Sequence, residues 1–414
     1  MQIAVMGFGT VGSGVAELVT NNSALLARRC GVDSIEVKRI LDIRDFPGSP
    51  FEDKLTKNFE DIVSDPEISV VAETMGGLRP AFEFTAACLK AGKHVVTSNK
   101  ELVAAKGDEL LKLARENSVS YLFEASVGGG IPLLRPISRC LAGNEFLEIT
   151  GILNGTTNFI LTKMITENMP FGEALSIAQK NGYAERDPSA DIDGADACRK
   201  TAILASLACG KHVDPDLIHT EGIRDLNLED VRYAHAAKFA VKLLGTCRKK
   251  RDGSFYTIVR PALVPFTSLL SRVDGVFNAV MVRGDAVGVT MFYGRGAGKM
   301  PTASAVVGDI ADCVCLGRNT KTGYGWGDRD GSVVSDYLSE PVSLYVRGLA
   351  TDRAAAYDEL LEVFGSNRYI YVGDAPINEI AFITQRDSER TLRQKLGTLR
   401  NFSVKSVIRV EDDI

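Results

Sequence analysis

The stretch Gly7-Phe8-Gly9-Thr10-Val11-Gly12 decides how the N-terminal part of the chain is interpreted. It directly follows the apolar run Gln2–Met6 and opens a segment, residues 11–26, with helical periodicity. A Gly-x-Gly-x-x-Gly turn between a strand and a helix lets a pyrophosphate approach the backbone, and the amide groups of the helix N-terminus bind the anion. The stretch therefore predicts a dinucleotide-binding Rossmann domain in which these six residues contact the cofactor.

Strand-like and helix-like segments alternate beyond this turn. The further strand candidates are residues 34–42, 69–73, 94–98 and 119–123, and the further helix candidates are residues 80–91 and 101–117. Such alternation indicates a parallel sheet with crossover connections. The predicted fold class is α/β, with a Rossmann domain over residues 1–134 that a returning helix at 301–317 completes.

Polar residues at the ends of the predicted strands are candidate cofactor contacts. Asp42 favours the free 2′-hydroxyl of NAD, whereas Arg44 favours the 2′-phosphate of NADP, so the sequence leaves this choice open. Thr74 and Ser98 follow the third and fourth strands, at the edge of the sheet where ligands bind. Lys100 would begin the next helix, where the helix dipole disfavours a cation, and this indicates another role for its charge.

Three further regions follow the Rossmann domain. Residues 135–318 mix helices with a strand-rich stretch at 253–293 and predict an α+β substrate-binding and dimerisation domain. Residues 319–336 are rich in Gly, Asp and Thr and predict a linker. Residues 337–414 have the order β-α-β-β-α-β, which is typical of a ferredoxin-like unit.

Asp196 and Lys200 are the clearest candidates for chemistry. Their i,i+4 spacing on a predicted helix makes them neighbours on one face, and that face continues into an apolar stripe. We therefore expect Lys200 to be partly desolvated, which lowers the pKa of an ammonium group toward the range of a general acid/base. The alternative is an ordinary ion pair between neighbouring turns.

Composition excludes several other classes of protein. The 414 residues carry 48 Lys and Arg against 53 Asp and Glu, a net charge of −5, so nothing indicates nucleic acid or an anionic membrane as a partner. No apolar run reaches the roughly 20 residues of a membrane span, and no signal peptide is indicated. Eight scattered cysteines without a CxxC pair predict reduced thiols and a cytoplasmic protein. Only four histidines are present, so the chemistry is expected to use lysine or carboxylate groups.

The order of these motifs resembles that of the homoserine dehydrogenases over residues 1 to about 317. The stretches that carry the resemblance are GFGTVG, ETMGG, GKHVVTSNKEL, EASVGGGIP, GILNGTTNFIL, GYAERDPSADIDGADACRK and GRGAGKMPTASAVVGDI. The resemblance implies NAD(P)-dependent interconversion of homoserine and aspartate 4-semialdehyde, in threonine and methionine biosynthesis, by a monofunctional enzyme.

Residue roles follow from the resemblance position by position. It implies that Lys200 is the general acid/base and that Lys100 is a second active-site lysine. It assigns the substrate to Glu185, Asp191 and Asp196, and it adds Gly298 to the cofactor contacts. A sodium site is implied around Glu124, Val127, Gly129 and Ile131, where three consecutive glycines suggest a backbone pressed against a ligand, or a hinge.

The C-terminal region resembles an ACT regulatory domain but departs from the usual pattern. The expected Pro-Gly turn after the first strand is absent, and residues 347–352 stand in its place, so the effector is left open. The family also suggests a homodimer or homotetramer formed through the strand-rich region.

The two alternatives to this function are a regulatory protein and a different dehydrogenase. A catalytically inactive dinucleotide-binding regulatory protein would have a damaged 185–200 segment, but this segment is intact. A semialdehyde dehydrogenase with a cysteine nucleophile would need a cysteine after a strand-end motif, and none of the eight lies there.

Overall fold

The computed structural model describes residues 1–316 and 325–411. The chain divides into two compact units: unit 1 comprises residues 1–147, 202–217 and 283–333, and unit 2 comprises residues 148–201, 218–282 and 334–414. The start of the predicted linker, residues 319–324, residue 317 of the predicted returning helix and residues 412–414 lie outside the described residues. Within the described ranges, no helix is long and apolar enough to cross a membrane.

The N-terminal segment of unit 1 forms a six-stranded parallel sheet with intervening helices. Its elements are β1 (Gln2–Met6), α1 (Thr10–Asn21), α2 (Ser23–Cys30), β2 (Glu36–Leu41), β3 (Leu55–Thr56), α3 (Glu60–Val63), β4 (Ile68–Glu73), α4 (Ala81–Lys90), β5 (His94–Thr97), α5 (Lys100–Glu116) and β6 (Tyr121–Leu122). The strand order β3-β2-β1-β4-β5-β6 is the order 3-2-1-4-5-6 of dinucleotide-binding sheets. The predicted parallel sheet is confirmed.

One predicted helix in this region is wrong. Residues 11–26 form two helices, α1 and α2, which are separated at Asn22. The run Asn21-Asn22-Ser23 explains the break, because these side chains compete with the helix for backbone hydrogen bonds.

The middle of the chain contributes most of a second sheet. Its elements are β7 (Phe146–Ile152), α6 (Gly155–Glu167), α7 (Phe171–Lys180), α8 (Ser189–Ile192), α9 (Ala195–Cys209), β8 (His219–Thr220), α10 (Leu228–Ala236), β9 (Phe239–Lys249), β10 (Phe255–Pro265) and β11 (Phe277–Gly284). The strands pair in the order β11-β7-β9-β10. Adjacent strands β7, β9 and β10 run antiparallel, so this sheet differs in kind from the first.

A later segment returns to unit 1. It consists of β12 (Gly288–Arg295) and α11 (Lys299–Leu316). Gly14 of α1 brings the two helices close, since a Cβ there would lie 3.0 Å from Lys299 and 3.1 Å from Ala303. Lys299 also pairs with Glu17 of α1, with 2.6 Å between Nζ and Oε2. Trp326 is 3% exposed in the same unit, and its ring centroid lies 5.1 Å from that of Phe123.

The C-terminal segment completes the sheet of unit 2. Its elements are β13 (Pro341–Ala350), α12 (Arg353–Phe364), β14 (Arg368–Ile370), β15 (Glu379–Ile383), β16 (Asp387–Ser388), α13 (Glu389–Thr398) and β17 (Phe402–Val410). The four main strands pair antiparallel in the order β17-β13-β15-β14, and β17 pairs parallel with β10. The second sheet is therefore mixed, and it runs continuously from the strands of the middle of the chain to those of the C-terminal segment.

Buried ion pairs accompany this continuity. Arg347, which stands where an ACT turn was expected, lies within β13 and pairs with Asp230 of α10 at 2.6 Å. Arg260 of β10 is 1% exposed and pairs with Glu411 just beyond β17. Charges this deeply buried need partners, because removing an ion from water is expensive. The C-terminal segment is thus packed as part of unit 2.

Candidate active site

Two glycines of the turn at residues 7–12 are required by the packing of the chain. Gly7 has φ of +92°, and a Cβ there would lie 2.9 Å from the backbone of Met75. A Cβ on Gly12 would lie 1.8 Å from the carbonyl oxygen of Gly7. Gly9 differs, because the nearest atom to its Cβ position is Arg44 Nη2 at 4.0 Å. The space beside Gly9 is therefore open, as a pyrophosphate that approaches the backbone requires.

Asp42 and Arg44 are hydrogen-bonded to each other, so they are not two independent groups for binding a ribose. Arg44 donates from Nε and Nη2 to the Asp42 carboxylate at 3.0 and 2.9 Å, and Asp42 also accepts the Phe8 N–H at 2.7 Å. The bond from Arg44 is the main reason that the pKa of Asp42 falls to about 2, against the effect of burial. The Arg44 side chain is 58% exposed, and its guanidinium lies 5.0 Å from the ring centroid of Phe46.

A cavity of about 630 Å³ opens beside these residues. Among the described residues that line it are Gly7, Gly9 and Thr74, all predicted cofactor contacts. Its charged lining residues are Asp42, Arg44, Lys57 and Arg79. Lys57 and Arg79 were missed by the sequence analysis, because neither lies in a recognisable motif and only the fold brings them to the cavity.

Three further predicted cofactor-site residues of unit 1 lie just after β5 and just before α11. Ser98 follows β5, and Lys100 is the first residue of α5, which Asn99 caps by accepting the Leu102 N–H at 3.1 Å. Gly298 has φ of +128° and precedes α11. These three residues are outside the lining of the cavity beside Gly9.

Lys200 and Asp196 form the ion pair that their spacing predicts. Lys200 Nζ donates to Asp196 Oδ2 at 2.8 Å and to the carbonyl oxygen of Leu153 at 2.7 Å. The two side chains are buried, with 8% of Lys200 and 4% of Asp196 exposed. The expected desolvation is therefore observed, and a buried ammonium held by two acceptors differs from a surface ion pair.

Asn154 links this pair to Asp191. Its Nδ2 lies 2.7 Å from Asp191 Oδ1 and 2.8 Å from Asp196 Oδ2, and its Oδ1 accepts the N–H of Thr157 in the first turn of α6. Burial raises the pKa of Asp191 above its ordinary value, and the charge of Asp196 adds to this effect, whereas the Asn154 bond and the Lys200 charge oppose it. Sequence analysis missed Asn154, although an Asn before Gly-Thr-Thr is a cap signature.

Glu185 is placed differently from the two aspartates. It is exposed in the loop between α7 and α8, where its backbone carbonyl accepts a bond from the Gln179 side chain at 3.1 Å. Thr156, in the first turn of α6, donates to the carbonyl oxygen of Tyr183 in the same loop at 2.6 Å. The structure thus brings Asp191, Asp196 and Lys200 together and leaves Glu185 at the surface.

The loop around Glu124 is the predicted sodium site. The Glu124 carboxylate accepts the N–H groups of Leu133, Leu134 and Arg135, the last at 2.7 Å. Gly128 and Gly129 have positive φ, and a Cβ on Gly129 would lie 2.4 Å from the carbonyl oxygen of Gly296. Within the described part of the chain, no cluster of three His, Cys, Asp or Glu side chains could hold a metal. These residues fit a hard cation only through backbone carbonyls, with Glu124 as a nearby negative charge.

Comparisons with known proteins give one consistent result. Residues 7–124 match the family model described as the NAD binding domain of homoserine dehydrogenase, and residues 132–311 match the homoserine dehydrogenase model. A homoserine dehydrogenase of Bacillus subtilis is 36% identical, with 99% of this chain and 98% of the relative covered.

Two solved structures extend this likeness. The crystal structure of a homoserine dehydrogenase from Thiobacillus denitrificans is similar with a TM-score of 0.88 and 35% identity, over 100% of this chain and 98% of that one. A hyperthermophilic archaeal homoserine dehydrogenase in complex with NADPH is similar with a TM-score of 0.64 and 29% identity, over 75% of this chain and 97% of that one.

Proposed function

The chain belongs to the homoserine dehydrogenase family, and on that premise we propose which of its residues carry the reaction. It is an oxidoreductase that acts on a CH–OH group, with an NAD-binding domain and a small-molecule substrate. The comparisons give no support to the inactive alternative. The reaction interconverts homoserine and aspartate 4-semialdehyde. The observation that carries the proposal is the buried Lys200, held by Asp196 and Leu153 in unit 2.

The bound nicotinamide would supply or accept the hydride at its C4 atom. The chain must then move one proton at the substrate oxygen, since that oxygen is a hydroxyl in homoserine and a carbonyl in the semialdehyde. Lys200 is the proposed general acid/base, because its two acceptors, the Asp196 carboxylate and the Leu153 carbonyl, fix the position of Nζ. Lys100 is the proposed second lysine, which stabilises the negative charge that develops on the oxygen.

Carboxylates are the proposed ligands of the substrate ammonium and hydroxyl groups. Asp191 and Asp196 suit this role because Asn154 already joins them and Lys200 neutralises one of the two charges. Glu185 is proposed as a third ligand, on the basis of the resemblance of the segment at residues 182–200. Its loop is linked to α6 through Thr156 and Tyr183.

We propose that NADP is preferred over NAD. The Asp42 carboxylate is used by Arg44 and by the Phe8 N–H, so it is a poor acceptor for a ribose hydroxyl. Arg44, Lys57 and Arg79 line the same cavity, and three cations against one carboxylate suit a 2′-phosphate. Contacts from Gly7 to Gly12, Thr74, Ser98 and Gly298 complete the proposed cofactor site.

A sodium ion is proposed on the carbonyls of Val127, Gly129 and Ile131, where it would have a structural role. The segment from residue 337 is proposed as an ACT-like regulatory domain, which its β-α-β-β-α-β order and its strand order β17-β13-β15-β14 support. The division into three domains and a linker, and assembly into a homodimer or homotetramer, are proposed on the resemblance.

A spectrophotometric assay tests the proposed function. The purified chain is mixed with homoserine and either NAD or NADP, and absorbance of the reduced nicotinamide is followed with and without threonine. 2-Aminobutyrate, which lacks the hydroxyl group, is the substrate control. We expect turnover with homoserine, faster with NADP, and none with the control. Absence of homoserine-dependent reduction with both cofactors would overturn the proposal.

A further inference from the structure

Among the described residues, Lys200, Asp196, Asn154 and Asp191 form one hydrogen-bonded group that contains two carboxylates and one ammonium. Burial raises the pKa of the second carboxyl, Asp191, and the nearby charge of Asp196, which is bonded to Lys200, raises it further. Two like charges in a partly buried site repel each other strongly because little water screens them. A neutral donor that bonds both carboxylates is one way to hold such a pair.

Asn154 is placed to be that donor, and the orientation of its amide is not ambiguous. The Thr157 N–H can only donate, so the amide atom facing it at 2.8 Å must be the oxygen. The amide nitrogen then faces Asp191 and Asp196, at 2.7 and 2.8 Å. Both of its hydrogens are used by carboxylates, and the side chain is 4% exposed.

Helix capping alone does not account for this arrangement. The cap of α6 needs only an oxygen acceptor at residue 154, which Ser or Asp supplies about as well as Asn. The two N–H donors are the feature that distinguishes Asn from these residues. Their targets lie 37 and 42 residues away along the chain, so they serve the site rather than the local helix.

We infer that Asn154 is a positioning residue for substrate binding, which clamps Asp191 and Asp196 together so that they present their charges to the ammonium and hydroxyl groups of the substrate. The inference rests on the proposed function of the two aspartates. Asn154 itself does not need to touch the substrate. The adjacent Leu153 carbonyl binds Lys200 Nζ at 2.7 Å, so one short segment of chain orients all three charged groups.

The test compares one substitution at two helix N-caps. Asn154→Ser keeps an oxygen that can cap α6 but removes both bonds to the carboxylates. Asn227→Ser is the matched control, because Asn227 caps α10 through the N–H of Asp230 and lies outside the proposed site. Each variant is assayed for KM and kcat with homoserine, for KM with NADP and for thermal midpoint. Asn154→Asp is a second variant, which also keeps the cap but adds a third carboxylate.

We expect Asn154→Ser to raise KM for homoserine at least about tenfold, since it removes two bonds to charged groups. Its KM for NADP should stay within about twofold of the wild-type value, although its thermal midpoint should fall further than that of Asn227→Ser because two carboxylates lose a donor. Asn154→Asp should raise KM for homoserine more than the Ser variant does, because of the added charge. A KM for homoserine in both Asn154 variants equal to that of Asn227→Ser would overturn the inference. If instead the wild-type chain fails to oxidise homoserine, the proposed function itself fails.

Discussion

Lys200 and Asp196 form a buried ion pair across one turn of α9, with 2.8 Å between Nζ and Oδ2. An exposed pair with this spacing contributes only about 0.3–0.5 kcal/mol to stability. Here both charges are buried. The Leu153 carbonyl accepts a bond from the Lys200 ammonium, and the Asn154 amide donates a bond to the Asp196 carboxylate. Such an arrangement positions the ammonium group more than it stabilises the helix.

The choice of cofactor depends on Arg44 in this account. Arg44→Ala removes a charged donor to the 2′-phosphate and releases Asp42 to bind a ribose hydroxyl. KM for NADP should rise about tenfold or more, the value of one bond to a charged group, and KM for NAD should stay equal or fall. Arg28→Ala, at an exposed position of α2, is the control. An equal rise in KM for NADP and for NAD would show that Arg44 does not bind the 2′-phosphate.

A substitution at Gly9 should affect cofactor binding without affecting the stability of the fold. A Cβ at this position meets nothing closer than 4.0 Å, so Gly9→Ala should leave the free energy of unfolding within about 0.5 kcal/mol of the wild-type value. The same Cβ would occupy the approach of the pyrophosphate, and the dissociation constant for NADP should rise at least about tenfold. Gly143→Ala, at a site with open space around the Cβ, should change neither quantity. Unchanged cofactor affinity in Gly9→Ala, measured by calorimetry, would place the pyrophosphate elsewhere.

The pH dependence of substrate binding follows from Asp191. Burial raises its pKa above the ordinary 3.8, so its proton is retained to a higher pH than in an exposed aspartate. Because the ionised form binds the substrate ammonium, KM for homoserine should rise as the pH falls, starting above pH 3.8. Asp191→Asn should weaken this dependence, and Asp187→Asn, in the exposed part of the loop, should not. A pH dependence of KM that is the same in both variants would contradict the assignment.

The buried pair of Arg260 and Glu411 should determine much of the stability of unit 2. Glu411→Gln removes the carboxylate that Arg260 pairs with, and breaking a buried pair on one side typically lowers the free energy of unfolding by about 3–5 kcal/mol. Asp336→Asn breaks an exposed pair with Arg390 and should change it by less than about 1 kcal/mol. Urea unfolding of both variants checks this. Equal, small losses would mean that the C-terminal strand is held mainly by its sheet contacts.

The first sheet was predictable because its local signals agree. A glycine turn after β1 and regular alternation of strands and helices lead to the observed strand order. Strand β9 was missed for a physical reason: Lys242 interrupts its apolar sequence. In the fold Lys242 is 0% exposed, and its ammonium donates to the carbonyl oxygen of Val273 at 2.5 Å and to Asn158 at 3.2 Å. No local pattern could supply those partners.

The candidate site also has one part that the sequence predicts and another that depends on the fold. The pairing of Lys200 with Asp196 could be predicted because both lie on one helix, four residues apart. The bonds from Asn154 to Asp191 and Asp196 could not be, because they depend on how β7 leads into α6 beside α9. Lys57 and Arg79 are similar cases. They line the cavity beside Gly9 only because the strand order of the first sheet brings their loops to the same edge.

The most direct test of the account is the turnover of Lys200→Ala. Homoserine oxidation is measured at saturating substrate and cofactor, with the dissociation constant of NADP measured separately. Lys163→Ala is the matched control, because Lys163 forms an i,i+4 pair with Glu167 on α6 in which its side chain is 27% exposed. We predict that Lys200→Ala loses at least about 100-fold in kcat, the typical contribution of general acid–base catalysis, with cofactor affinity unchanged. A kcat in Lys200→Ala close to that of Lys163→Ala would contradict the central claim.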